Sequence, residues 1–132
     1  MMSRARQIEL SFLLLRVIAG AMFMCHGLTK VFGWPVGHAV QSGSQLWIGG
    51  MIELVCGALI AVGLFARLAG LIASGLMAVA YFQYSWKLDV DGWKWLPGVN
   101  GGELSVLYCF LFLTIAASGP GRISIDHKRG RA

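Results

Sequence analysis

Residues 47–86 read WIGGMIELVCGALIAVGLFARLAGLIASGLMAVAYFQYSW, and this stretch decides the fold. A helix crossing about 30 Å of hydrocarbon needs roughly 20 mostly apolar residues. The stretch is twice that length, with Arg67 as its only basic residue and Gly63 just before it. A tight hairpin around 64–67 therefore divides it into spans of about 47–64 and 67–86. Two crossings joined by a short turn are the unit from which the rest is read.

Upstream, residues 10–32 form another apolar run. Its basic start resembles a signal peptide, but no small-x-small cleavage site follows, so it is read as a retained span. Downstream, residues 103–118 make a fourth span, which Ser118-Gly119-Pro120-Gly121 ends because glycine and proline stop a helix. The expectation is all-α: an integral membrane four-helix bundle in one domain, residues 1–132.

Composition agrees. Of 132 residues, 57% are hydrophobic and 13% charged, against about 25% charged in soluble domains. The net charge of +5 sits mostly at the chain ends, which argues against nucleic acid and for orientation across a bilayer. Arg4, Arg6, Arg67, Arg122, Lys128, Arg129 and Arg131 fall on one side of the topology. Lys30, Lys87 and Lys94, offset by Asp89 and Asp91, fall on the other. Both termini are then cytoplasmic, and all five tryptophans lie at the outer face, where an aromatic belt belongs.

Helices in lipid associate through close van der Waals contact, which small residues permit. Arg16, Gly20, Phe23, Gly27 and Lys30 share one stripe of the first helix. Gly49, Glu53 and Gly57 recur four apart on the second, and Gly70, Ser74 and Ala78 on the third.

Ionisable groups within the spans are the functional signal, because a charge near the bilayer centre costs roughly 2.5–3.5 kcal/mol. Arg16 lies well inside the first helix, with His26 and Lys30 on one face of its outer half. Glu53 is about two turns into the second helix, Gln83 and Tyr84 are near the outer end of the third, and Glu103 starts the fourth. All except Arg16 fall in the outer leaflet, and a polar pocket centred on His26 and Glu53 is expected there. Plainer roles stand beside this one. Lys30 can snorkel to the interface, Asn100-x-x-Glu103 reads as a variant capping box, Arg16 can be a structural pair member, and His26 a satisfied core histidine. Glu53 is hardest to explain away, since a deep carboxyl must be paired or protonated.

Several chemistries are excluded. Bis-histidine haem needs a second imidazole. A zinc set of Cys25, His26, Glu53 and Cys56 fails because adjacent residues point about 100° apart on a helix, so no metal is expected. Cys25, Cys56 and Cys109 form no C-x-x-C pair for disulfide exchange.

Together these pieces resemble the DoxX family of small bacterial membrane proteins. The resemblance rests on Leu15-Arg16 with Gly20, His26-Gly27-x-x-Lys30-x-Phe32-Gly33, and Gly50-x-x-Glu53-x-x-x-Gly57. It continues through Gly63-Leu64-x-x-Arg67, Asn100-Gly101-Gly102-Glu103-Leu104, and Gly119-Pro120-Gly121-Arg122-x-Ser124-x-Asp126. It implies a multi-pass protein of the bacterial plasma (inner) membrane. Relatives include a subunit type of thiosulfate:quinone oxidoreductase and proteins tied to membrane redox complexes, thiol stress or quinone handling. Arg16, His26, Lys30, Glu53, Asn100 and Glu103 match recurring positions of the family pattern.

Two function readings follow. In the first, the chain is a quinone-linked oxidoreductase component working with a redox partner protein. His26 and Glu53 are its catalytic candidates, and Arg16, Lys30, Asn100 and Glu103 its cofactor-binding ones. The quinone head would sit among the outer-leaflet polar groups and its tail between glycine-lined helices. In the second, the chain is a non-catalytic membrane anchor or assembly factor for a redox or metal-handling complex. A small-solute transporter has little support without a clear internal repeat, although a homo-oligomer could still supply a pathway.

Overall fold

A computed structural model describes residues 1–131. Among them the chain is helical, with no strand. Helix α1 spans Arg4–Phe32; the Ser3 hydroxyl caps its start by accepting from the Arg6 amide, and Gly33, with φ +70°, ends it. It begins six residues earlier than the apolar run because the basic segment continues the helix. At 29 residues it is about 43 Å long, more than the hydrocarbon thickness.

Helix α2 spans Gln45–Val62. Ser44 caps it, accepting from the Trp47 amide at 3.2 Å, and this moves the start two residues ahead of the expected one. The hairpin falls where the sequence places it. Gly63 takes φ +71° and the Leu64 amide donates back to the Leu59 carbonyl at 2.9 Å, a glycine-ended helix terminus. Helix α3 spans Ala66–Ala80 and runs on as a wider π turn over Tyr81–Trp86. After a loop and the short α4 (Pro97–Asn100), helix α5 spans Glu103–Ser118, and α6 is a single turn over Ile125–Lys128.

Three segments, Arg4–Phe32, Gln45–Val62 and Ala66–Trp86, are long and apolar enough to cross a membrane. Helix α5 is as apolar but has 16 residues, about 24 Å of rise. Large apolar side chains such as Leu14, Ile18, Leu68, Leu71, Leu107 and Phe110 remain exposed, which suits lipid as solvent.

The close approaches expected of the glycine stripes are present. A methyl added at Gly20 would lie 2.6 Å from the Ala61 amide nitrogen, and one at Gly57 2.5 Å from that of Met24, so α1 and α2 touch backbone to backbone. Gly70 meets the Phe112 carbonyl at 2.8 Å on the same measure, bringing α3 against α5. Ser74 reinforces that seam by donating to the Cys109 carbonyl at 2.8 Å. Gly49 and Ala78, in contrast, lie outside the buried set. An aromatic cluster fills the centre. Phe23 and Phe112 have ring centroids 4.7 Å apart, and Tyr108 stacks on Phe112 at 5.2 Å.

Candidate functional site

Two polar clusters lie at opposite ends of the helices. The first is centred on Glu53, which is 3% exposed. The Gly50 and Gly27 seam brings α2 close enough to α1 for Lys30 to reach it. The Lys30 ammonium donates to Glu53 Oε1 at 2.6 Å, with the lysine side chain one-third exposed. Glu53 Oε2 is buried and has no hydrogen-bond partner. Neither has the buried hydroxyl of Tyr108, from α5.

Glu53 and Tyr108 both line one cavity of about 250 Å³, together with His26, Lys30, Gln83 and Tyr84. Most of its remaining wall is apolar, from Phe23, Leu76, Met77, Ala80 and Leu104. Gln45 donates to Gln83 at 2.7 Å across its rim, tying the start of α2 to the π turn. A buried hydroxyl or carboxylate left without a partner costs about 1–3 kcal/mol, so such groups normally meet water or a ligand. The cavity can therefore offer a carboxylate, a phenol and an ammonium to one small polar group on apolar walls.

The structure brings His26, Lys30 and Glu53 to this cavity, with Gln83 and Tyr84, but not the other candidates. Glu103 is exposed and does not line it, although the next two residues do. Asn100 serves its own turn: its side-chain oxygen accepts from the Gly102 amide at 2.8 Å, and its nitrogen donates to the Lys94 carbonyl at 2.9 Å. The capping-box expectation is thereby corrected. Gly102 occupies the cap position of α5 with no side-chain cap, because Asn100 turns back on its own backbone. The expectation that a ligand tail lies between the glycine-lined helices also fails, since those seams are closed at backbone contact.

Arg16 lies about 15 Å along α1 from His26, by helical rise. There it builds the second cluster. Its guanidinium donates to the carbonyls of Pro120 and, at 2.9 Å, Ile123, holding the chain after α5. Asp126 completes the arrangement by accepting from the Phe65 and Ala66 amides, both at 2.9 Å, at the start of α3. Helix α3 has no side-chain cap of its own, and Phe65 is left-handed with φ +48°. A carboxylate from the far end of the sequence thus satisfies its free amides. On the same end, Arg67 donates to the carbonyls of Ala116 at 3.1 Å and Ala117 at 2.6 Å, closing the last turn of α5.

Tyr108, in the cavity wall, and Asp126, at the start of α3, are the buried polar positions that sequence reasoning passed over. The usable signal for Tyr108 was a phenol inside an apolar helix, where its hydroxyl needs a partner. Asp126 gave only its place in the terminal motif. Among the described residues, no group of three or more His, Cys, Asp or Glu side chains is placed to hold a metal ion.

The DoxX family model matches residues 11–86, more than half of the chain and all of α2 and α3. The chain belongs to the DoxX family. A Haemophilus influenzae protein, described as uncharacterized, is 37% identical over 118 residues, covering 86% of this chain and 87% of the relative. No solved structure matches. The chain is thus a DoxX membrane protein with apolar helices. Glu53, Lys30 and His26 fall within the matched DoxX range, while Tyr108, Asn100, Glu103 and Asp126 lie beyond it.

Proposed function

We propose that this DoxX protein is a quinone-linked component of a bacterial inner-membrane oxidoreductase, and that the Glu53 cavity takes the quinone head. One observation carries the reading: Glu53 and Tyr108 each keep a buried oxygen without a partner, and both residues line the same apolar-walled cavity. A quinone ring suits those walls, and its two carbonyl oxygens need hydrogen-bond donors. The Tyr108 hydroxyl supplies one, and His26, which lines the same cavity, supplies the other. Reduction to the hydroquinone takes two electrons and two protons. A redox partner protein provides the electrons, and protons reach the ring through Glu53, whose side chain Lys30 holds in position.

The proposal includes a four-helix topology in one domain, residues 1–132, with both termini cytoplasmic. The α2–α3 hairpin, the carboxyl-terminal segment and the start of α1 gather at one end, where Arg6, Arg67 and Arg122 also lie. Lys30, Lys87 and Lys94 belong to the other end, with the tryptophans. That asymmetry supports this orientation. Helix α5 crosses despite its length, because its ends continue into α4 and the segment held by Arg16.

Quinone binding to detergent-purified protein tests the reading, comparing wild type with Glu53→Gln and His26→Ala. Saturable binding that weakens in both variants is expected. A well-folded wild type that binds no quinone would instead favour the anchor or assembly-factor role.

A further inference from the structure

The Glu53 cavity is smaller than the roughly 300–1,000 Å³ of a typical small-molecule site, so a ligand longer than one ring must leave it somewhere. The glycine seams between α1 and α2 and between α3 and α5 are closed. Helices α1 and α5 are different. Leu15, Ile18 and Met22 on α1 face Leu104, Leu107 and Leu111 on α5 across a groove of about 220 Å³ with wholly apolar walls. Each set recurs at steps of three and four, so it forms one continuous stripe, and each stripe rises about 10 Å.

Tyr108 and Leu104 line both this groove and the Glu53 cavity. The phenol ring stacks on Phe112, and its hydroxyl is buried without a partner. The two spaces therefore share a wall at the residue that would touch the ligand head. Met22 and Leu107 are 48% and 69% exposed, so the groove opens sideways to the membrane and not to water.

Resting on the quinone reading, we infer that the groove between α1 and α5 is a tail-binding subsite. The site would thus select a membrane-resident quinone whose linear hydrocarbon tail leaves past Tyr108, and the ligand would enter laterally from the bilayer. The head is held by the polar groups, and the groove supplies affinity in proportion to the length of tail it covers. Tail-bearing rings are then preferred over the same ring in free solution.

Binding in lipid nanodiscs tests this with two probes, a benzoquinone carrying a decyl tail and the same ring without it, each corrected for partition into empty discs. After that correction the decyl probe should still bind wild type severalfold tighter, because the shaped groove gives its tail closer van der Waals contact than fluid lipid does. Met22→Trp with Leu107→Trp fills the groove from its lipid side and should abolish that difference, leaving the tailless ring unaffected. Equal affinities for both probes in wild type would overturn the subsite and leave the head site standing. If neither probe binds folded wild type, the head site falls and the groove with it. If the tryptophan substitutions change the oligomeric size, the groove is a contact between copies and the inference falls.

Discussion

Glu53 shares one carboxylate oxygen with Lys30 at 2.6 Å and leaves the other buried and unbound. The pair joins the end of α1 to the middle of α2, so it is a structural tie as well as a ligand group. Lys30→Met removes the tie and strands the carboxylate. The loss should be smaller than the roughly 3–5 kcal/mol of a fully buried pair, because the lysine is 33% exposed. Thermal unfolding in detergent should show a lowered midpoint for Lys30→Met. Adding Glu53→Gln to that variant should recover most of it, since the stranded charge is gone.

Tyr108→Phe separates function from fold. In an empty site the hydroxyl is an unsatisfied buried group, a state that costs about 1–3 kcal/mol. Its removal should leave the protein as stable as wild type or more so. Quinone affinity should nevertheless fall about tenfold, the worth of one hydrogen bond. Phe at 108 with undiminished affinity would take the phenol out of the site.

The sequence carried the four long helices, with ends displaced by up to six residues. The hairpin needed only Gly63 and Arg67, and α5 is found at 103–118 as expected, because long apolar runs and glycine punctuation are local signals. The Glu53 cavity was partly legible, since charges in oil announce themselves: His26, Lys30 and Glu53 all reach it. Depth along a helix is readable in this way, but rotation is not. Glu103 sits beside two lining residues and still points elsewhere, and Arg16 is committed to carbonyls that follow α5. Those partners lie more than a hundred positions away, and no spacing rule spans that distance.

The α1–α2 seam should be intolerant where backbones meet and tolerant elsewhere. A methyl at Gly57 would stand 2.5 Å from the Met24 nitrogen and 2.7 Å from the Gly20 carbonyl oxygen, neither of which can swing aside. Gly57→Ala should therefore destabilise by at least the roughly 1–3 kcal/mol of an overpacked core. It should also pull Glu53 away from Lys30 and weaken quinone binding. Gly75 has nothing within 4 Å of the added methyl, so Gly75→Ala should be neutral or stabilising. Unfolding midpoints of the two variants, measured together, check this.

The loop after the π turn should respond to acid. Lys94 donates to the Asp89 carboxylate at 2.6 Å, and this bond, followed by the Asp91 amide, holds Asp89 below the usual carboxylate range. A depressed folded value means the contribution is present above the unfolded pKa, near 3.9, and is lost as pH falls through the folded one. The Trp86 indole donates to the Asp89 carbonyl at 2.9 Å and is a local reporter. In a variant keeping Trp86 as its sole tryptophan, fluorescence should stay flat from neutral pH to about 5 and change only below about 4. A transition centred near neutrality would mean another group controls the loop.

At the other end, Asp126 should govern the chain terminus without touching the ligand. Its carboxylate satisfies the Phe65 and Ala66 amides at the start of α3, and Arg16 holds the carbonyls of Pro120 and Ile123 beside it. Asp126→Ala leaves two amides without partners, at about 1–3 kcal/mol each where water does not replace the bond. It also frees residues 124–131 from the hairpin. Limited proteolysis should then cut this tail faster than in wild type, at Lys128 and Arg129 first, since these are exposed basic sites. Quinone affinity should stay within about twofold, because additivity holds for sites far apart with no shared partners. A large loss of affinity in Asp126→Ala, in protein that remains folded, would show that the two ends are coupled through α3 and that the carboxyl-terminal segment sets the shape of the Glu53 cavity.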